Sequence, residues 1–145
     1  MNDTFIPTAS YNKRKWYLIN CKYQKLGRIS SSIVKLLSGK NKSYYHPGID
    51  IGDYVILINA KTLIAEFPST QLYVFHPGHP GSSLKKILNR LPQRIIKNSV
   101  LRMMPKKQVK RHLLNRLKIY QGPQHPHLAQ NPIHIVDIEN FTLTY

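Results

Sequence analysis

The apolar residues of this chain come in bursts, and their period changes along it. Trp16 to Cys21 (WYLINC) and Tyr54 to Asn59 (YVILIN) are short, near-continuous apolar runs led by an aromatic residue. Such runs predict strands covered on both faces, as in a parallel sheet. Between them Leu26, Ile29, Ile33, Leu36 and Leu37 recur at helical spacing. That stripe predicts an amphipathic helix ending at Gly39, a natural C′ residue. The polar, basic stretch Gly39 to Gly48 reads as a loop. Thr62 to Ala65 is a candidate short strand and Gln71 to Phe75 (QLYVF) a further one. HPGHPGSS, from His76, is then a loop dense in glycine and proline.

The period turns helical again at Leu84. Leu84, Ile87, Leu88 and Leu91 form one stripe, and Pro92 stops that helix and opens the next. Ile96, Val100 and Met103 form a second stripe ended by Pro105, and Val109, Leu113 and Leu117 predict a third helix. Residues 121–132 carry three prolines and two histidines and read as a loop; Ile133 to Ile138 alternates and predicts a last strand. The order strand, helix, strand, strand, helices, strand predicts an α/β class: one three-layer α/β/α domain with a small, four-stranded, mostly parallel sheet. The expected layout is a basic, extended N-terminal arm over 1–15, the domain over 16–138 and a C-terminal tail over 139–145.

Charge narrows the function classes. Of 145 residues, 22 are Lys or Arg and six are Asp or Glu, for a formal net charge of +16. Residues 67–118 hold twelve of the basic residues and no acid. A solvated helix face mixes both signs, so an acid-free stretch points to a polyanion. No apolar run approaches the length of a membrane span. One cysteine excludes an internal disulfide, and six carboxylates leave little for paired-carboxylate catalysis. No apolar h-region follows the N-terminus, and Asp3 with no early Arg argues against a transit peptide, so the expected compartment is the one where the chain is made.

Catalytic and metal chemistry finds little footing. His76 with His79 and His125 with His127 have close spacings, but zinc sites ordinarily require cysteine or a third ordered ligand. Cys21 lies in an apolar strand, where a thiol behaves as a small hydrophobe. Ser30 to Ser32 has no G-x-S-x-G frame, and no phosphate loop occurs. Asp50 and Asp53 near His46 form an acidic cluster whose plainest role is to orient the loop before the strand. No cofactor, metal or small-molecule substrate is expected. The basic positions remain: Lys13, Arg14 and Lys15 before Trp16; Arg28 after Gly27; Lys40 and Lys42 beside Tyr44 and Tyr45; Arg102, Lys106, Lys107, Lys110 and Arg111; and Arg116 and Lys118 before Tyr120. Lys and Arg neutralise phosphate while aromatic and histidine rings stack on unpaired bases, so folded RNA is the expected partner.

These residues also form an ordered series. WYLIN (Trp16 to Asn20) precedes LGRIS (Leu26 to Ser30), GKNKSYYHP (Gly39 to Pro47) and GDYVILINA (Gly52 to Ala60). HPGHPG (His76 to Gly81), RMMPK (Arg102 to Lys106) and LKIYQGPQHPHLAQNP (Leu117 to Pro132) follow. From Trp16 to Pro132 the chain resembles the L-thirteen family of large-subunit ribosomal proteins, bacterial or organellar type. The resemblance implies a structural, non-enzymatic, rRNA-binding protein that joins the large subunit early. It implies neighbouring large-subunit proteins as further partners, with no membrane association and no homo-oligomer. It implies RNA contact for Arg28, Lys40, Lys42, His76, His79, Lys106, Tyr120, His125 and His127. Glu66-Phe67-Pro68 departs from the family pattern. Lys outnumbers Arg 15 to 7, and Ile (16) and Asn (10) are frequent, as in A/T-rich genomes. The expected origin is an organelle-encoded plastid copy, with a bacterial cytoplasm as the alternative. A small RNA-processing enzyme and a free regulatory RNA binder are the rival functions.

Overall fold

The structure, a computed structural model, describes residues 13–65, 72–73, 81–104 and 110–135. Its main sheet has the order β5-β2-β1-β6, built from β1 (Trp16–Asn20), β2 (Tyr54–Ile58), β5 (Leu117–Ile119) and β6 (Ile133–Ile135). All three pairings are parallel: Trp16 lies opposite Tyr54, Val55 opposite Leu117 and Leu18 opposite His134. A two-residue antiparallel ladder, β3 (Leu72–Tyr73) with β4 (Ser82–Ser83), stands apart from it. The helices are α1 (Leu26–Ser38), α2 (Leu84–Arg90), α3 (Pro92–Met103) and α4 (Lys110–Asn115).

Three expectations change. Leu117 does not end a helix: α4 stops at Asn115 and Leu117–Ile119 is an edge strand. Leu113 and Leu117 stand four apart, so the sequence continues the helical stripe. The three-residue alternation L-K-I is too short to announce a strand against it. The stretch after β2 forms a 3₁₀ turn, Ala60–Thr62, and among the described residues its ladder contact is a single bridge between Lys25 and Ile64. Ser82–Ser83, read as loop, closes the small ladder with Leu72–Tyr73, the described part of the predicted strand 71–75.

Burial explains the layers. Strand alternation puts Tyr17, Ile19, Val55, Leu57, Leu117 and Ile119 on one face. There they share a core with Leu26, Ile29, Ile33, Leu36 and Leu37 of α1, Ile95, Ile96 and Val100 of α3, Ile87 of α2 and Leu113 of α4. Right-handed crossovers from β1 to β2 and from β2 to β5 place the intervening helices on that side. The return from β5 to β6, across β2 and β1, then passes over the other face. That face presents Trp16, Leu18, Tyr54, Ile56 and Lys118; Leu18 and Ile56 are buried. Residues 120–132 form this third layer, and its regular content is one 3₁₀ turn, Leu128–Gln130.

Two glycines are required where α1 meets β2. Gly39 adopts φ +76°, and its N–H bonds Leu36 O while that of Lys40 bonds Lys35 O, a Schellman stop. Gly52 passes so close to the Leu37 carbonyl that a Cβ there would overlap it. The next residue, Asp53, donates its N–H to Leu36 O (3.1 Å). The helix end is thus sealed by the segment that leads into β2.

Candidate RNA interface

At the amino edge of the sheet the loop 39–53 meets the end of the N-terminal arm, and two carboxylates organise it. Asp53 is fully buried; its Oδ1 accepts from Lys42 Nζ (2.7 Å) and from the Lys15 N–H (2.9 Å). Lys42 Nζ also donates to Ile51 O (2.7 Å). The neighbouring Tyr17 phenol is raised above its ordinary pKa, first by burial and then by the negative charge of Asp53. Asp50 takes the guanidinium of Arg116, whose Nη1 donates to Gly52 O (2.6 Å). Arg14 Nη2 stands 3.5 Å from the same carboxylate. Both acids therefore hold the loop, and the histidine beside them does likewise: His46 Nδ1 accepts from the Gly48 N–H.

This geometry reassigns two expected RNA ligands. Arg116 is 4% exposed, and the Lys42 side chain is 8% exposed. Their cationic ends point into the protein, where they compensate the buried Asp53, the half-buried Asp50 and backbone carbonyls rather than phosphate. Nothing in their sequence neighbourhood separates them from Lys40 or Lys118; only the return of β5 to the α1–β2 junction does. Lys13, Arg14, Lys15, Lys40, Arg28 and Arg102 are exposed, and Lys118 is half-buried.

On the third layer the rings predicted to meet RNA meet one another. Trp16 stacks on Tyr54 at 4.2 Å between centroids and 7° between planes, a direct cross-strand pair. The His127 ring lies 5.2 Å from Trp16, and its Nε2 pairs with Tyr120 Oη at 2.8 Å. His125 lies 6.5 Å from Tyr120, and its Nδ1 accepts the His127 N–H. These contacts pin residues 120–127 across the sheet. Beside β5, Lys118 and Tyr120 join Lys97, Gln93 and Asn115 around a polar hollow of about 290 Å³. Gln93 Nε2 donates to Ile119 O there.

Lys97 was not singled out from the sequence, nor were Lys86, Arg90 and Arg94, all exposed on α2 and α3. Subtracting the buried stripes of those helices would have found them. His76, His79, Lys106 and Lys107 lie outside the described residues, as do residues 1–12 of the arm and the whole tail; of the Lys110 and Arg111 side chains nothing is described. Cys21 is buried and its thiol is pushed up to about 12 by desolvation, which suits an inert core residue. Among the described residues no group of three or more His, Cys, Asp or Glu is placed to hold a metal ion, and no helix is long and apolar enough to cross a membrane.

Known proteins are similar to this chain over nearly its whole length. The family model for ribosomal protein L13 matches residues 14–126. Large ribosomal subunit protein uL13c of Trieres chinensis is 50% identical over 133 residues, covering 92% of this chain and 96% of that protein. Protein uL13 of Trichodesmium erythraeum is 43% identical over 138 residues, 91% of each chain. That of Synechococcus elongatus is 40% identical over 147 residues, 97% of each. With the family model and near full-length relatives in accord, this chain belongs to the ribosomal protein L13 family.

Proposed function

We propose that this chain is a structural constituent of the large ribosomal subunit that binds and organises its rRNA, entering early in assembly. Family membership makes it a structural ribosome component rather than an enzyme. One observation carries the RNA reading. Twenty of the 22 basic residues lie among the described residues, against two acids, Asp50 and Asp53, and both acids are committed to internal pairs. The described part of the chain thus carries a large excess of positive charge, a state that phosphate relieves.

In this reading the domain, 16–138, is the platform, and the arm, 1–15, and tail, 139–145, supply further contacts to RNA and neighbouring proteins. Exposed Lys13, Lys15, Arg28, Lys40 and Arg102 neutralise phosphates, and Lys106, Lys107, Lys110 and Arg111 add a further basic cluster. Recognition is of RNA shape rather than base sequence, since no helix is set out as a groove reader. The identity to uL13c and to cyanobacterial relatives supports the ribosome of a plastid or a bacterium; of the two we propose an organelle-encoded plastid copy.

The test is rRNA binding across a salt series. Six to ten phosphate contacts make affinity fall about a thousandfold or more between ~50 and ~200 mM salt. Charge reversal of Lys106, Lys107, Lys110 and Arg111 to Glu is expected to abolish entry into large subunits. A folded variant that enters normally removes that cluster from the interface.

A further inference from the structure

The carboxyl edge of the sheet, where the LGRIS motif places Arg28, also carries an aromatic residue that the motifs do not mark. After β1 the chain turns through Cys21 to Lys25 into α1, and Tyr23 sits at the tip with φ +59°. The residue is 72% exposed and adds nothing to the core. Lys22 Nζ stands 5.3 Å from the ring centroid. Hydrogen bonds fix this tip against the turn that follows β2: Tyr23 N–H to Thr62 O (3.3 Å), Ile64 N–H to Gln24 O (2.9 Å) and Leu26 N–H to Ile64 O (2.9 Å). Asn59 Nδ2 bonds Asn20 Oδ1 (3.0 Å), which also accepts the Lys22 N–H. Lys22, Lys25 and Lys61, all exposed, thereby lie on two turns bonded to each other, with Lys22 against the ring itself.

Two residues on from Tyr23 begins a hollow of about 480 Å³, lined by Lys25, Gly27, Arg28, Ile64, Ala65 and Ser99. Lys25 and Arg28 bring two cations to its rim. An exposed ring beside cations and a concave, cationic seat is the chemistry that holds an unpaired base and its flanking phosphates. In open parallel sheets ligands also gather at the carboxyl ends of the strands.

We infer that this edge is a nucleotide-binding site: Tyr23 stacks on one unpaired base of large-subunit rRNA, and Lys22, Lys25 and Lys61 neutralise the phosphates on either side. The inference rests on the rRNA-binding reading and adds to it a second contact area, with a single-stranded rather than a duplex target. An acidic protein segment is the competing occupant; the exposed ring and the nucleotide-sized hollow favour RNA.

The experiment uses the full chain and a transcript of large-subunit rRNA from its own source, with binding measured over a salt series. Three variants are compared: Tyr23→Asn, which removes the ring while tolerating the left-handed conformation; Tyr23→Phe, which keeps it; and Lys22, Lys25 and Lys61 changed together to Gln. Tyr23→Asn is expected to weaken binding about 5- to 100-fold, with Tyr23→Phe within about twofold of the unchanged chain. The triple variant is expected to lower the slope of log affinity against log salt by about 2. Thermal melting checks that each variant is folded. Tyr23→Asn binding as the unchanged chain does, or Tyr23→Phe as weak as Tyr23→Asn, overturns the stacking site. Normal RNA affinity with exclusion of Tyr23→Asn from large subunits overturns it in favour of a protein occupant. If the unchanged chain fails to bind rRNA, the broader reading falls with it, so the two failures are distinguishable.

Discussion

Replacing Arg116 by Gln separates a folding residue from an RNA ligand. In sequence Arg116 looks like its neighbour Lys118, yet it is buried, bonded to the Asp50 carboxylate and to Gly52 O. Gln reaches neither partner with charge. Breaking a buried ion pair by removing one member costs about 3–5 kcal/mol, and a carbonyl left unsatisfied costs about 1–3 kcal/mol. The Asp50 side chain is 28% exposed, so water recovers part of its loss. The low end, about 3–4 kcal/mol in total, is the expectation. In a chain of this size that lowers the melting temperature by about 10–15 °C. Trp16 is the chain's single tryptophan and stacks on Tyr54 in the sheet, so its fluorescence reports urea or thermal unfolding directly. Binding to rRNA, measured well below the transition, is expected to keep its salt slope. A variant with unchanged stability whose slope falls by about 0.7–0.9, the signature of one lost phosphate contact, would refute the assignment of Arg116 to the interior.

Three further outcomes follow from packing and titration. Gly52→Ala drives a methyl group into the Leu37 carbonyl; we expect about 3 kcal/mol of destabilisation or more, read as a lower urea midpoint, and a loss under about 0.5 kcal/mol contradicts the close approach. Tyr120→Phe removes the hydroxyl that pairs with His127, at about 1 kcal/mol, and faster amide exchange over residues 121–132 is the measurement. Cys21 is expected to resist a thiol reagent at pH 8 until the chain unfolds. Its pKa in the fold is raised from 9.0 to about 12, so the folded state keeps a proton that the unfolded state releases. The associated stability is complete below about pH 9 and is lost as pH rises toward 12, by up to ~4 kcal/mol; rising stability across that window contradicts it.

The strands β1 and β2 and helix α1 were legible because their apolar patterns are long and unambiguous, and the Pro92 break between α2 and α3 was legible because proline has one comfortable place at a helix start. Leu117–Ile119 was not, since a three-residue strand after a helix inherits the helix's spacing. The same blindness hid Arg116 and Lys42. Sequence records that a residue is charged, not that a distant carboxylate has folded over it. Asp50 and Asp53 were readable as loop-orienting groups, but their partners, up to 66 residues away in the chain, were not. Tyr23 escaped notice for a related reason: exposure at a turn tip follows from how the 20–26 and 59–64 segments are bonded together.

The central claim, a large-subunit protein completed by rRNA, meets its most direct test in sedimentation. Full-length chain, tagged and expressed in its own source, is resolved on gradients that separate the two subunits. The account predicts one copy per large-subunit particle and none with small-subunit particles. A chain that stays with the free proteins at the top of the gradient, or that travels with small subunits, contradicts it.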